Sequence, residues 1–215
     1  MNDTSSKRTK RRGRPFSPLI TRETALRAAI DIVDREGLEA LSLQGVARAL
    51  GVTAPSLYYH FRDKQDLLGL LARELLNEVG GTETAGQGWE ERAIGLAVAT
   101  RRVILAHPNA APLMLIFFPR RIMLGAYERT LRDCPYAPEH HMTILEAMES
   151  LTYGGALFAA AAETRHVAAM PAFEAGHYPH LAKAMAVTPK DDEAVFIETL
   201  NVLFDGFRTR FGKRD

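Results

Sequence analysis

A chain of 215 residues with 47% hydrophobic and 25% charged side chains can bury a sizeable core, which excludes a fully disordered or fibrous protein. No apolar run reaches the roughly 18–20 residues that cross a bilayer, and the basic, polar N-terminus lacks the apolar stretch of a secretory signal. Cys134 is the only cysteine, so no internal disulfide can form, and a reducing, cytoplasmic setting is expected.

The net charge of +1 hides an asymmetry. Residues 1–15 carry six cations (Lys7, Arg8, Lys10, Arg11, Arg12, Arg14) against Asp3 alone, a net +5, and the rest of the chain sums to −4. Residues 1–20 therefore read as a disordered basic arm that could reach a polyanion, or else as a solubilising tail.

From Thr21 a helical period begins. Leu26, Ala29, Ile30 and Val33 recur at three- and four-residue spacing, and Gly37 ends the pattern. Ser42 has the chemistry of an N-cap for a short helix whose apolar face is Val46, Ala47 and Leu50. Gly51 and Val52 make a turn. Thr53 can cap the next helix, in whose first turn Pro55 is tolerated. Asp63 and Asp66 have the spacing of a capping box for a longer helix running to about Val79. Two short helices joined by so tight a turn are a helix-turn-helix.

Residues 80–88, rich in Gly and Thr, are the best linker. Beyond them the chain reads as helical again, over 89–106, 120–132, 139–165 and 191–211. The last segment carries Phe196, Leu200, Leu203, Phe207 and Phe211 on one stripe. No β-alternation is visible. The expected fold is all-α: a helix-turn-helix domain over 21–79, then a helical domain over 89–215.

The second helix of a helix-turn-helix lies in the DNA major groove with its first turn toward base edges. That role explains the composition of residues 53–60. Thr53, Ala54, Pro55 and Ser56 are small enough to approach bases. Leu57 should face inward and lock the helix onto Val46 and Leu50. Tyr58, Tyr59 and His60 bring apolar stems with polar tips that reach phosphates. Lys64 adds a cation. Ser42 and Gln44 stand where helix N–H groups face a phosphate backbone.

The stretch "LSLQGVARALGVTAPSLYYHFRDKQDLL" resembles the DNA-binding domain of the TetR family of transcriptional regulators, through Ala47, Leu50, Gly51, Val52, Leu57, Tyr58, His60, Phe61, Lys64, Leu67 and Leu68. Upstream, "AAIDIVDREGLEALSL" is similar to the family's first helix and glycine turn. The resemblance implies a homodimer, a palindromic double-stranded DNA operator and a C-terminal domain that binds a small-molecule effector and dimerises. Release from the operator would follow effector binding. "RRGRP" at 11–15 resembles an AT-hook core, which would place Arg12 and Arg14 in a narrow A·T minor groove.

An effector cavity should be apolar with a few polar groups. His107, Met114, Phe117, Phe118, Met148, Tyr153, Phe158, Glu163 and His166 are the candidate lining. The closing segment, "YPHLAKAMAVTPKDDEAVFIETLNVLFDGFRTRF", is similar to the last two helices of the tetracycline-repressor type. That type holds a magnesium–drug chelate through histidines; Met114 and Gly155 stand in their places here, while Glu163 aligns with an acidic residue near the metal's water shell. The expected effector is therefore more apolar than a magnesium–tetracycline complex, and neither metal nor cofactor is expected. The small residues of "TYGGALFAAAAE" (152–163) and the stripe on 196–211 suit a four-helix dimer interface.

Enzymatic readings fare poorly. The sequence has no Gly-rich phosphate loop and no Gly-x-Ser-x-Gly elbow, and His140-His141 with Glu139, Glu146 and Glu149, which could suggest a metal site, lack metalloprotease spacing. The remaining alternatives are an activator on the same scaffold or a nonspecific architectural DNA binder that relies on the arm.

Overall fold

The structure, a computed structural model, describes residues 20–80, 88–168 and 170–212. The basic arm with Arg12 and Arg14 lies outside the described residues, as does most of the expected linker. Eleven α-helices and no strand occur among the described residues.

Helix α1 (Arg22–Glu36) opens on a reciprocal cap. The Thr21 hydroxyl accepts from Thr24 N–H, and the Thr24 hydroxyl accepts from Thr21 N–H. It stops at Gly37, whose φ of +85° an L side chain would adopt only under strain. A 3₁₀ turn (Leu38–Ala40) leads to α2 (Leu43–Ala49), where the Ser42 hydroxyl accepts from Gly45 N–H at 3.0 Å. Gly51, at φ +66°, turns the chain into α3 (Ala54–Tyr58). Then comes α4 (Lys64–Glu78).

Two expected caps form differently. Thr53 is the N-cap residue of α3, but its hydroxyl pairs with Ser56 Oγ at 2.9 Å instead of capping a backbone N–H. Asp63 does cap Asp66 N–H, but the Asp66 carboxylate accepts from Arg62 N–H, one residue before the position a capping box requires. The neighbouring Arg62 guanidinium holds it there.

After Gly88 the chain forms α5 (Trp89–Ala106), α6 (Leu113–Ile116), α7 (Pro119–Ile122), α8 (Leu124–Arg132), α9 (Pro138–Thr164), α10 (Pro179–Val187) and α11 (Asp192–Phe211). The helix expected over 120–132 is broken at Met123, which has φ −124°. The break lets Ile122 and Met123 both pack on the main core while Arg120 pairs with Glu146 and Glu149 of α9. On α11, Phe204 is buried and Leu203 only half-buried, so the buried stripe is Phe196, Leu200, Phe204 and Phe207.

The main core runs without interruption from α1 to α4 into Ile104, Ala110, Leu113, Met114, Ala156 and Ala160. Helix α4 is the shared element, packed on α1, α5 and α6. Each Leu it buries contributes about 1.5–3 kcal/mol. A second cluster around Trp89, Tyr136, Ile144, Met148, Phe204 and Phe207 ties α5, α9 and α11 together.

Candidate nucleic-acid interface and effector region

Leu57 is fully buried and sits in the main core with Val46, while Leu50 packs at its edge. That anchor turns the rest of α3 outward. Tyr58 is 57% exposed and Tyr59 90% exposed, so neither of the adjacent tyrosines folds under the helix. Thr53 and Pro55 are exposed; Ala54, Ser56 and His60 are half-exposed. Ser42, Gln44 and Lys64 are also exposed. All ten candidates among the described residues thus lie on or near the surface of the helix-turn-helix. The Thr53–Ser56 pair uses only part of each hydroxyl's capacity, because a hydroxyl carries one donor and two acceptor sites.

One cation beside this surface has no counterpart in the sequence reading. The Arg22 guanidinium, from the first turn of α1, donates to the His60 carbonyl at 3.3 Å. The fold brings residue 22 to the end of α3. An arginine at the junction of the basic arm and the first helix was the only available clue.

The effector candidates do not gather in one place. Met114 and His107 line a small apolar cavity of about 10 Å³ with Leu75, Leu76, Val79 and Ile104. Phe117 and Tyr153 pack at the edge of the main core. Met148 belongs to the second cluster. Phe118 and Phe158 are 60% and 82% exposed, and Glu163 and His166 are exposed, with His166 at φ +53°. The cavity has room for about one water, whereas effector pockets run to about 300–1,000 Å³. It must therefore open to admit a small molecule.

A polar group stands beside Tyr153, built from two glutamates weighed in the sequence only as part of a metal site with His140 and His141, and from Arg120 and Tyr127, which the sequence did not mark. Arg120 pairs with Glu146 at 2.6 Å and with Glu149, and the Tyr127 hydroxyl donates to Glu149. Burial, reinforced by Glu149, pushes the Tyr127 and Tyr153 phenols up, so both stay neutral donors. Glu146 and Glu149, three apart on α9, gave a weak signal; the pairing with Arg120 depends on the break at Met123.

Residues 25–71 match the family described as bacterial regulatory proteins, tetR family, and residues 83–211 match the tetracyclin repressor-like C-terminal domain. The chain is 26% identical over 201 residues to the class D tetracycline repressor of Escherichia coli, covering 89% of this chain and 90% of that one. It is 36% identical over 96 residues to an HTH-type transcriptional regulator of Saccharopolyspora erythraea, and that match spans 45% of this chain and 41% of the relative. Its fold is similar to a single-residue variant of TetR from Acinetobacter baumannii AYE in complex with minocycline. That match has a TM-score of 0.73 and 20% identity, and covers 91% of this chain and 97% of the other.

Proposed function

The chain belongs to the tetR family of bacterial regulatory proteins, a family of DNA-binding transcriptional regulators, and from that premise we propose a specific mode of action. The protein acts as a homodimeric cytoplasmic repressor, without catalytic activity, released from a palindromic operator by a small, largely apolar effector. One observation carries this most directly: helix α4 shares a single apolar core with both the helix-turn-helix and the cavity at Met114.

Thr53, Ala54, Pro55, Ser56 and Tyr58 read base edges in the major groove. Ser42, Gln44, Tyr59, His60 and Lys64 hold phosphates, and Arg22 joins them. Arg12 and Arg14 enter the adjacent minor groove. The α3 helices of the two subunits must stand about 34–36 Å apart to dock in successive major grooves.

An effector entering between α4, α5 and α6 must spread Leu75, Leu76 and Val79 away from Ile104 and Met114. Displacing α4 moves the helix-turn-helix packed on it and spoils that spacing. By linkage, operator and effector weaken each other by the same factor. Met114 is a poor ligand for magnesium, a hard cation that prefers oxygen donors, which supports an effector that needs no metal.

The test is a titration of fluorescent operator with protein in the presence of a library of apolar compounds, with magnesium–tetracycline as a separate arm. Release by an apolar compound and not by the chelate is expected. Micromolar release by magnesium–tetracycline would overturn the effector assignment.

A further inference from the structure

His107 was expected in an effector pocket, but its polar contacts point elsewhere. It follows α5 at the start of the turn to α6, and its side chain is only 19% exposed. Its Nδ1 lies 2.8 Å from Asp34 Oδ2, on α1. An ionised carboxylate only accepts, so Nδ1 carries the proton. Two residues on, Asn109 Nδ2 donates to the Asp34 carbonyl at 2.9 Å. Asp34 is thus gripped from the turn at both its side chain and its backbone. On the other edge of the ring, Nε2 is 3.7 Å from Glu78 Oε2, at the end of α4, too far for a hydrogen bond. The apolar face of the same residue lines the cavity with Val79 and Met114.

We infer that His107 is the pin of the joint between the helix-turn-helix and the C-terminal helices, and that its bond to Asp34 fixes the tilt of one on the other. Three features support this. The bond spans 73 residues of sequence and links α1 directly to the turn after α5, bypassing α4. Asp34 Oδ1 is buried with no partner among the described residues, so losing His107 would leave both oxygens without a protein donor. His107 also lines the cavity at Met114, so the joint and the cavity share one residue. The pin rests on the proposed mechanism for its functional meaning, and adds to it a second route, beside α4, from cavity to DNA-binding surface.

The imidazole can be dissected, because an Asn amide nitrogen reproduces the Nδ1 position and a Gln amide nitrogen the Nε2 position. The measurement is the distance between spin labels at Glu39→Cys, on the 3₁₀ turn, and Glu128→Cys, on α8, in a Cys134→Ser background. Both label sites are exposed. Doubly labelled chains are diluted into excess unlabelled protein, so that one labelled chain is read whether the protein is a dimer or not.

His107→Asn should keep the single narrow distance of the parent. His107→Gln should lose it to a broad or second distribution. A parent-like distribution in His107→Gln overturns the inference, and so does equal broadening in His107→Asn. Circular dichroism melting confirms that each variant is folded. The experiment uses neither DNA nor effector, so it fails or succeeds separately from the repressor assignment.

Discussion

Phe117, at the end of α6, seats its ring on Gly69 of α4, where an added Cβ would stand 3.1 Å from Phe117 Cε1. The absence of a side chain at 69 therefore lets the C-terminal helices approach the helix that carries the DNA-binding surface. Gly69→Ala gains up to about 1 kcal/mol of helix propensity and loses a similar amount in pushing the half-buried ring aside. The melting temperature should barely move, while operator affinity shifts severalfold. Adding Phe117→Ala should bring the affinity back toward the parent value. If the single and double variants bind alike, the Gly69–Phe117 contact plays no part in coupling.

Leu57 and Tyr59 are two residues apart with opposite exposures, and their substitutions should separate fold from recognition. Leu57→Ala should cost about 2–5 kcal/mol of stability, the usual range for a buried Leu. Tyr59→Ala should leave the melting temperature unchanged and lower operator affinity by about 1–3 kcal/mol. Ser56→Ala and Tyr58→Ala should do the same. Unchanged operator binding in any of the three would remove that residue from the interface.

Ser42 has two roles that can be told apart. As the cap of α2 it accepts from Gly45 N–H, and Ser42→Ala should cost about 1 kcal/mol. Ser42→Asp should restore the cap but place a negative charge against the operator phosphates. Stability recovered without recovery of affinity is the expected pattern. Recovery of both would mean that residue 42 stands away from the DNA.

Asp66 sets part of the acid limb of stability. The Arg62 backbone N–H, which donates to its carboxylate at 3.0 Å, is the main influence holding its pKa below the usual carboxylate value. A carboxyl lowered by folding stabilises the native state above its unfolded pKa, about 3.9, and that contribution fades as pH falls through the lower folded value. Asp66→Asn should therefore reduce stability at neutral pH and flatten its loss below about pH 4. A variant with the parent's acid profile would show that the carboxylate bond has no energetic consequence.

The sequence was most informative where backbone chemistry and periodicity agreed. Ser42 caps its helix as expected, Asp63 caps its own although the box with Asp66 does not close, Gly37 and Gly51 occupy the left-handed positions that turns demand, and Leu57 is the buried anchor of α3. It was least informative where tertiary contacts decide. The break at Met123 depends on α9 and on the main core, which local propensity does not encode. Phe204 and Leu203 exchange places because both fit a helical stripe and only packing against Trp89 and Phe207 selects the phenylalanine. His107 does line the cavity, but its hydrogen-bond partner Asp34 lies 73 positions away, beyond what local sequence shows. The exposed effector candidates sit on separate elements, Phe158 and Glu163 on α9, Phe118 at the start of α7 and His166 just past α9, and no local pattern distinguishes them from lining residues.

The proposed function depends on sequence-specific recognition of an operator by two copies of the helix-turn-helix. That recognition is measured by selecting fragmented genomic DNA with the purified full-length protein at physiological salt and sequencing what is retained. A palindromic motif near promoters is expected, with half-site centres about 10–10.5 base pairs apart. Retention of A·T-rich fragments without a palindrome, lost steeply as salt rises, would contradict it and assign DNA binding to the basic arm alone.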